Sequence, residues 1–217
     1  HVAAAERAMR EMNAQYLTVI MEGKYTDWYL KSNGADAPKF TAKELKIMSS
    51  PLDFVGVNIY TAQFVRADES SPAGFAHVPH PKSFPHAPSF WLFITPDALY
   101  WGPRHVAKLW GAKEIYITEN GCAGEDVLVD DGNIYDTDRI TFIRAHLTQL
   151  QRAAAGGTTG FTCAANSNGS GSTVRRNSDR PSAGFTDRFT ITAPAGAVAN
   201  LPGHEHLASL WAAVPHY

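Results

Sequence analysis

The sequence predicts an α/β fold built on a parallel sheet. Two short apolar runs, 52–60 and 115–119, are bounded by turn signals, as buried strands are. Longer stretches with helical spacing lie before, between and after them, so strand and helix alternate. A third observation is Glu119, which stands where the second run stops and Asn120-Gly121 turns away. In a parallel barrel the loops at that strand end surround the cleft, and the strand holds each side chain rigidly. From spacing alone, the commoner reading of Glu119 is a solvated carboxylate opening a loop. The sharper one is a nucleophile or base.

Taken in order, residues 2–22 read as one helix. Ala3, Ala4, Ala5, Ala8, Met9, Met12, Leu17 and Ile20 supply helix formers and an apolar stripe, and Gly23 is the stop. A short helical piece follows at 25–30, ended by Asn33-Gly34. Thr41-Ala42-Lys43-Glu44 has the spacing of a capping box and opens a helix to about Met48.

The run 52–60 is then a strand with Phe54, Val55, Val57 and Ile59 expected inside. Asn58 and Tyr60, two residues apart, share a face at its C-terminal end. Two polar tips on an apolar strand need partners if buried, and a Glu in the same cleft could serve. A satisfied strand end explains them equally well.

Residues 61–94, with five Pro and several Ser, read as a long loop carrying Phe84, Phe90, Trp91 and Phe93. Thr95-Pro96 is an N-cap and first-turn Pro. A helix to Trp110 follows, with Gly102-Pro103 expected to kink it and Gly111 to stop it. After Glu119 a Gly- and Asp-rich loop leads to a helix capped by Thr137 or Asp138. Its core stripe is Ile140, Ile143, Leu147 and Leu150, and Gly156-Gly157 end it. The tail changes character: 159–163 is strand-like, 164–184 reads as a flexible loop and 207–211 as helical.

Composition narrows the function classes. The 217 residues are 44% apolar, enough for a substantial core, and no run approaches the ~20 residues a membrane-spanning helix needs. The net charge is −2 with both signs scattered, which gives no footprint for nucleic acid or an anionic membrane. Cys122 and Cys163 form no metal or disulfide pattern, and His77, His80 and His86 are separated by Pro with no carboxylate in ligand spacing. No metal site and no cofactor are therefore expected. The N-terminus enters a helix with no basic-then-apolar leader, so the expected location is cytoplasmic. There is no leading Met, so the chain reads as starting inside something longer.

Ile117-Thr118-Glu119-Asn120-Gly121 resembles the nucleophile motif of the glycoside hydrolase family 1 β-glucosidases. The flanks resemble the family in order and spacing. They are 40–45 with Leu52-Asp53-Phe54-Val55-Gly56-Val57-Asn58-Ile59-Tyr60-Thr61, then Pro96-Asp97-Ala98-Leu99, then Asp138-Arg139-Ile140 with His146-Leu147. The resemblance runs from residue 1 to about 160. It implies a (β/α)8 TIM barrel of which this chain supplies about the last half, strands 6–8 with flanking helices, in residues 1–163. It also implies a retaining β-glucosidase acting on a β-glucoside or oligosaccharide. By the motif match Glu119 is the nucleophile, Tyr60 the tyrosine that orients it, and Asn58 the asparagine near the sugar 2-OH and the acid/base. Trp91 corresponds to the aglycone-stacking tryptophan.

Two departures stand beside the resemblance. The family's acid/base lies in an Asn-Glu-Pro motif, which this sequence lacks. The family's Trp-Ser-Leu segment is replaced by Cys163-Ala164-Ala165-Asn166, which makes 164–217 either a divergent tail or one read out of frame. A half-barrel has open sheet edges and needs a complementary N-terminal half or self-association. The alternative function is a non-catalytic carbohydrate-binding or pseudo-enzyme fragment, with Tyr60, Trp91 and Trp101 as stacking surfaces. A third is a purely structural α/β domain.

Overall fold

The computed structural model describes residues 1–155 and two short strands of the tail, at 163–165 and 189–191. The expected helix at 207–211 and most of the expected flexible stretch lie outside the described residues.

Helix α1 (Val2–Met12) buries Ala4, Ala5, Ala8 and Met9, while Ala3 of the expected stripe is exposed. The single helix expected over 2–22 is interrupted. Ala14–Thr18 forms a π turn before α2 (Val19–Glu22). The cause is side-chain competition for backbone acceptors. Asn13 Nδ2 donates to the Met9 carbonyl at 2.8 Å and Thr18 Oγ1 to the Arg10 carbonyl at 2.7 Å. The Thr18 amide reaches back five residues to Asn13 at 3.0 Å. Gly23, at φ 69°, closes α2 in the left-handed region. Thr26 caps α3 (Asp27–Asn33), and Thr41 with Glu44 forms the expected capping box on α4 (Ala42–Met48).

Strand β1 (Val55–Asn58) is shorter than the run that suggested it. Val55 and Ile59 are buried, but Phe54, expected inside, is 55% exposed. Period-2 alternation decides this: Val55, Val57 and Ile59 face one side, and Phe54, Gly56 and Asn58 the other.

The loop expected over 61–94 contains a hairpin of β2 (Phe64–Ala67) and β3 (Phe75–Val78), paired antiparallel. Its turn needs Gly74: φ is 74°, and a Cβ there would lie 2.0 Å from Arg7 Nη1 of α1. Val65 and Phe75 pack on Ala4, Ala5 and Ala8, so α1 anchors the hairpin. The remainder of the segment gathers around His80, which stacks on Phe93 at 4.1 Å with Phe64 and Phe84 alongside.

Helix α5 (Ala98–Trp110) starts after Asp97, not at the expected Thr95 cap. Thr95 is buried, and its hydroxyl accepts the Ala62 amide at 2.9 Å instead. Pro103 lies inside α5, which runs through the expected kink as one helix. Strand β4 (Ile115–Glu119) and helix α6 (Thr137–Ala155) follow. The stripe of α6 is rotated from expectation. Phe142, His146, Leu150, Ala153 and Ala154 are buried and Ile140 is 55% exposed.

β1, β4 and β5 (Cys163–Ala165) are parallel neighbours, and β6 (Phe189–Ile191) adds antiparallel to β5. Helices α5 and α6 cover one face of β1 and β4. Their shared core is Ile59, Ile117, Leu99 and Leu150 with Ala62, Ala98, Ala153 and Ala154. Each fully buried aliphatic there contributes ~1.5–3 kcal/mol. Phe54 just before β1, Gly56 and Asn58 on β1 and Thr118 on β4 are exposed. No helix among the described residues is long and apolar enough to cross a membrane.

Candidate active site at the ends of two parallel strands

The C-terminal ends of β1 and β4 lie side by side. Val55↔Ile115, Gly56↔Tyr116 and Val57↔Ile117 pair in step, then the register slips so that Asn58 pairs with Glu119. Thr118 is the extra residue, and such irregularities re-aim side chains at strand ends. Strict alternation from Ile115 and Ile117 would turn Glu119 toward the helices. Instead its Oε2 accepts the phenolic O–H of Tyr60 at 2.5 Å. Two candidates separated by 59 positions in sequence are thereby joined.

Tyr60 is half-buried, and its phenol is pushed up to about 12. Burial is the larger cause. The bond to Glu119 and the repulsion between that carboxylate and a tyrosinate add to it. The phenol thus remains a donor to the carboxylate at every physiological pH.

Trp91 meets the Tyr60 ring edge-on, with centroids 6.0 Å apart and planes at 84°. Both pack on a small cluster of Ala87, Leu92 and Phe142, with Cys122 beside them. Two hydroxyls fix the segment carrying Trp91: Thr61 Oγ1 donates to the Phe93 carbonyl at 2.8 Å, and Thr95 holds Ala62. Asn58 stands apart from the pair. Its Oδ1 accepts from Thr118 Oγ1 at 2.5 Å, so its bond goes to the neighbouring threonine, not to Glu119. This leaves the Asn58 amide protons directed away from Thr118, at an exposed position on the open side of the strands.

The loop after Glu119 is fastened from α6. Arg139 Nε donates to Asp136 at 2.7 Å and Nη2 donates to Asp126. The same guanidinium lies against Gly124, where a Cβ would be 3.2 Å from Nη1. Cys122 is a free, half-buried thiol pushed up by burial, and so is a poor thiolate. Among the described residues no group of three or more His, Cys, Asp or Glu is placed to hold a metal ion.

The four proposed residues therefore lie at one end of β1 and β4, with Tyr60, Glu119 and Trp91 in a linked chain and Asn58 beside them. Asn120 and Thr118 were missed as contributors. Asn120 is 6% exposed, and its Nδ2 donates to the Ile59 carbonyl at 2.8 Å. Its position before Gly121 hid this, because Asn-Gly is itself a turn signal. Chemically, the arrangement offers a carboxylate aimed by a phenol at the ends of two parallel strands.

Comparison with known proteins identifies the family. The Glycosyl hydrolase family 1 profile matches residues 1–164. A 1,4-beta-D-glucan glucohydrolase of Thermotoga neapolitana is 33% identical over 155 residues, 70% of this chain and 36% of that protein. Beta-glucosidase A of Acetivibrio thermocellus is 32% identical over 160 residues, 72% of this chain and 35% of its own. Among solved structures, a family 1 β-glucosidase from Thermotoga maritima superposes with a TM-score of 0.58 at 30% identity. That match covers 70% of this chain and 35% of the other. The chain thus spans about a third of the length of these relatives. It belongs to glycosyl hydrolase family 1 and forms part of that family's (β/α)8 barrel.

Proposed function

We propose that this chain carries the nucleophile half of a retaining β-glucosidase site. Glu119 attacks the anomeric carbon of a terminal β-glucosyl residue. The bond from that carbon to the aglycone oxygen breaks, and its electron pair leaves with the oxygen. The observation that carries this reading is the 2.5 Å bond from Tyr60 to Glu119. A carboxylate that accepts from a phenol keeps its second oxygen free for attack and is held at one angle. Trp91, packed edge-to-face with Tyr60, is the candidate aglycone contact, and Asn58 offers amide protons to a sugar hydroxyl.

In a retaining site a second carboxyl group protonates the departing oxygen, and the Asn-Glu-Pro motif that would bring it is absent from the sequence. The reading therefore confines this chain to substrates whose leaving group needs no proton. Natural β-glucosides require a complementary part that supplies the acid/base. Relatives from Thermotoga maritima have been solved with castanospermine and with deoxynojirimycin, which supports a sugar-shaped ligand here too.

The test is covalent. The full chain is incubated with 2,4-dinitrophenyl 2-deoxy-2-fluoro-β-glucoside, which carries its own good leaving group. A fluoroglucosyl mass gain on the peptide containing Glu119, lost in Glu119→Gln, is the expected outcome. No mass gain, with deoxynojirimycin binding retained, would replace this reading by a non-catalytic carbohydrate-binding fragment. Neither labelling nor binding would leave only a structural domain.

A further inference from the structure

The strand ends are tied by more than the Tyr60–Glu119 bond. Beyond the register slip the ladder between β1 and β4 is finished by two bonds to one residue, Ile59. Its amide donates to the Glu119 carbonyl at 3.0 Å, and its carbonyl accepts from Asn120 Nδ2 at 2.8 Å. Both partners come from the dipeptide 119–120. Tyr60 follows Ile59 and Glu119 precedes Asn120, so this brace joins the two peptide units that carry the pair.

Burying a side-chain amide is costly unless its hydrogen bonds are made. Asn120 is 6% exposed and beside a core in which Ile59 is 1% exposed. The regular ladder runs through the Asn58–Glu119 pair and ends on the bond from the Ile59 amide. The Asn120 amide supplies a second contact to Ile59. Two contacts on one residue set both the separation and the twist of the strand ends.

We infer that Asn120 is a positioning residue for the candidate reaction. By holding the Ile59 carbonyl, its side-chain amide sets the reach between the Tyr60 hydroxyl and the Glu119 carboxylate. The catalytic consequence rests on Glu119 being the nucleophile, but the brace does not. Asn120 touches no substrate and acts through its neighbours. Asp at this position has the same shape and presents an oxygen to the carbonyl in place of the donor, so it loses the brace without leaving a void. Ala loses both.

The experiment uses the full chain, its Asn120→Asp and Asn120→Ala variants, and two readouts. The first is the rate of Glu119 labelling by the dinitrophenyl fluoroglucoside, resolved into a maximal rate and an apparent affinity. Misplacement of a reacting group by about 1 Å can cost ~10²-fold, so both variants are expected to lose between ~10- and ~100-fold in the maximal rate with little change in affinity. The second is the ionisation of a 3-fluorotyrosine at position 60, followed by fluorine NMR. Its titration midpoint is expected to fall in both variants as the bond to Glu119 loosens.

A merely structural role would lower the unfolding midpoint and leave both readouts at parental values, which overturns the inference. If the parent is not labelled, the nucleophile reading fails, and the titration of residue 60 still decides the brace. If neither variant folds, exchange of the Asn120 side-chain amide protons in the parent decides it. Protection supports the brace, and exchange at the rate of an exposed amide removes it.

Discussion

The Tyr60 hydroxyl donates to Glu119 Oε2 at 2.5 Å across the ends of β1 and β4. Removing it by Tyr60→Phe deletes a hydrogen bond to a charged group, a loss of ~1.5–3 kcal/mol. Labelling of Glu119 is expected to slow by ~10- to ~100-fold while the fold is retained, since the phenyl ring keeps its packing against Trp91. The linkage has a sign. Tyr60 holds its proton to about 12, whereas an unperturbed tyrosine releases it near 10.0. The folded state binds the extra proton between those values, so this contribution is complete below pH 10 and is lost as pH rises toward 12. The phenylalanine variant should lack that alkaline loss in urea unfolding.

His105 and His146 are buried and pushed down to about 4, in both cases chiefly by burial. Each Nε2 lacks a hydrogen-bond partner among the described residues. Unfolded, these histidines take up protons near 6.5, so between 6.5 and about 4 the unfolded state binds more protons. Their neutral burial therefore stabilises the fold above that window, and the stability is lost on acidification. His146 stacks on Phe142 at 3.7 Å. His146→Phe keeps a ring there and should reduce the acid-side slope of stability by up to ~1.4 kcal/mol per pH unit. Urea midpoints at pH 7, 6 and 5 measure it.

Gly102 of α5 faces Ile59 so closely that a Cβ would lie 2.7 Å from Ile59 Cδ1. Gly102→Ala gains ~1 kcal/mol of helix propensity but overpacks a filled core at ~1–3 kcal/mol. The net expectation is modest destabilisation. In an Ile59→Val background, where Cδ1 is gone, the same change should become stabilising. A double-mutant cycle by chemical denaturation reads the reversal of sign.

Arg139 clamps the 121–136 loop through Asp126 and Asp136. Arg139→Ala should raise the rate of Glu-C cleavage at Glu125 by ~5- to ~30-fold, the factor corresponding to one or two kcal/mol of local stability. Arg139→Lys should not restore resistance, because a single ammonium cannot bridge two carboxylates in fork geometry.

How much of this was legible in the sequence depended on how local the cause is. The capping box at Thr41–Glu44 and the stop at Gly23 are set within four residues, and both appear as expected. The strand bearing Glu119 was plain because Ile115 and Ile117 alternate before a turn pair. The β2–β3 hairpin was not, since its apolar face is completed by Ala4, Ala5 and Ala8 from the other end of the sequence. Phe54 was misplaced because an aromatic beside Val55 reads as core, although alternation sends the two to opposite faces. The stripe of α6 shifted to Phe142 and His146, and a histidine is a poor sequence marker of a helix interior. Glu119 and Tyr60 were each visible at a strand end. The register slip that lets them meet is a property of pairing and has no signature in either strand alone.

The exposed side of β1 and β4, with Phe54, Gly56, Asn58 and Thr118, has an electrostatic consequence. Two unit charges 4 Å apart interact by ~1 kcal/mol in a medium of dielectric constant 80 and by ~4 kcal/mol at an effective value of 20. Covering that side would lower the effective dielectric around Glu119 and strengthen its interaction with any charge placed beside it.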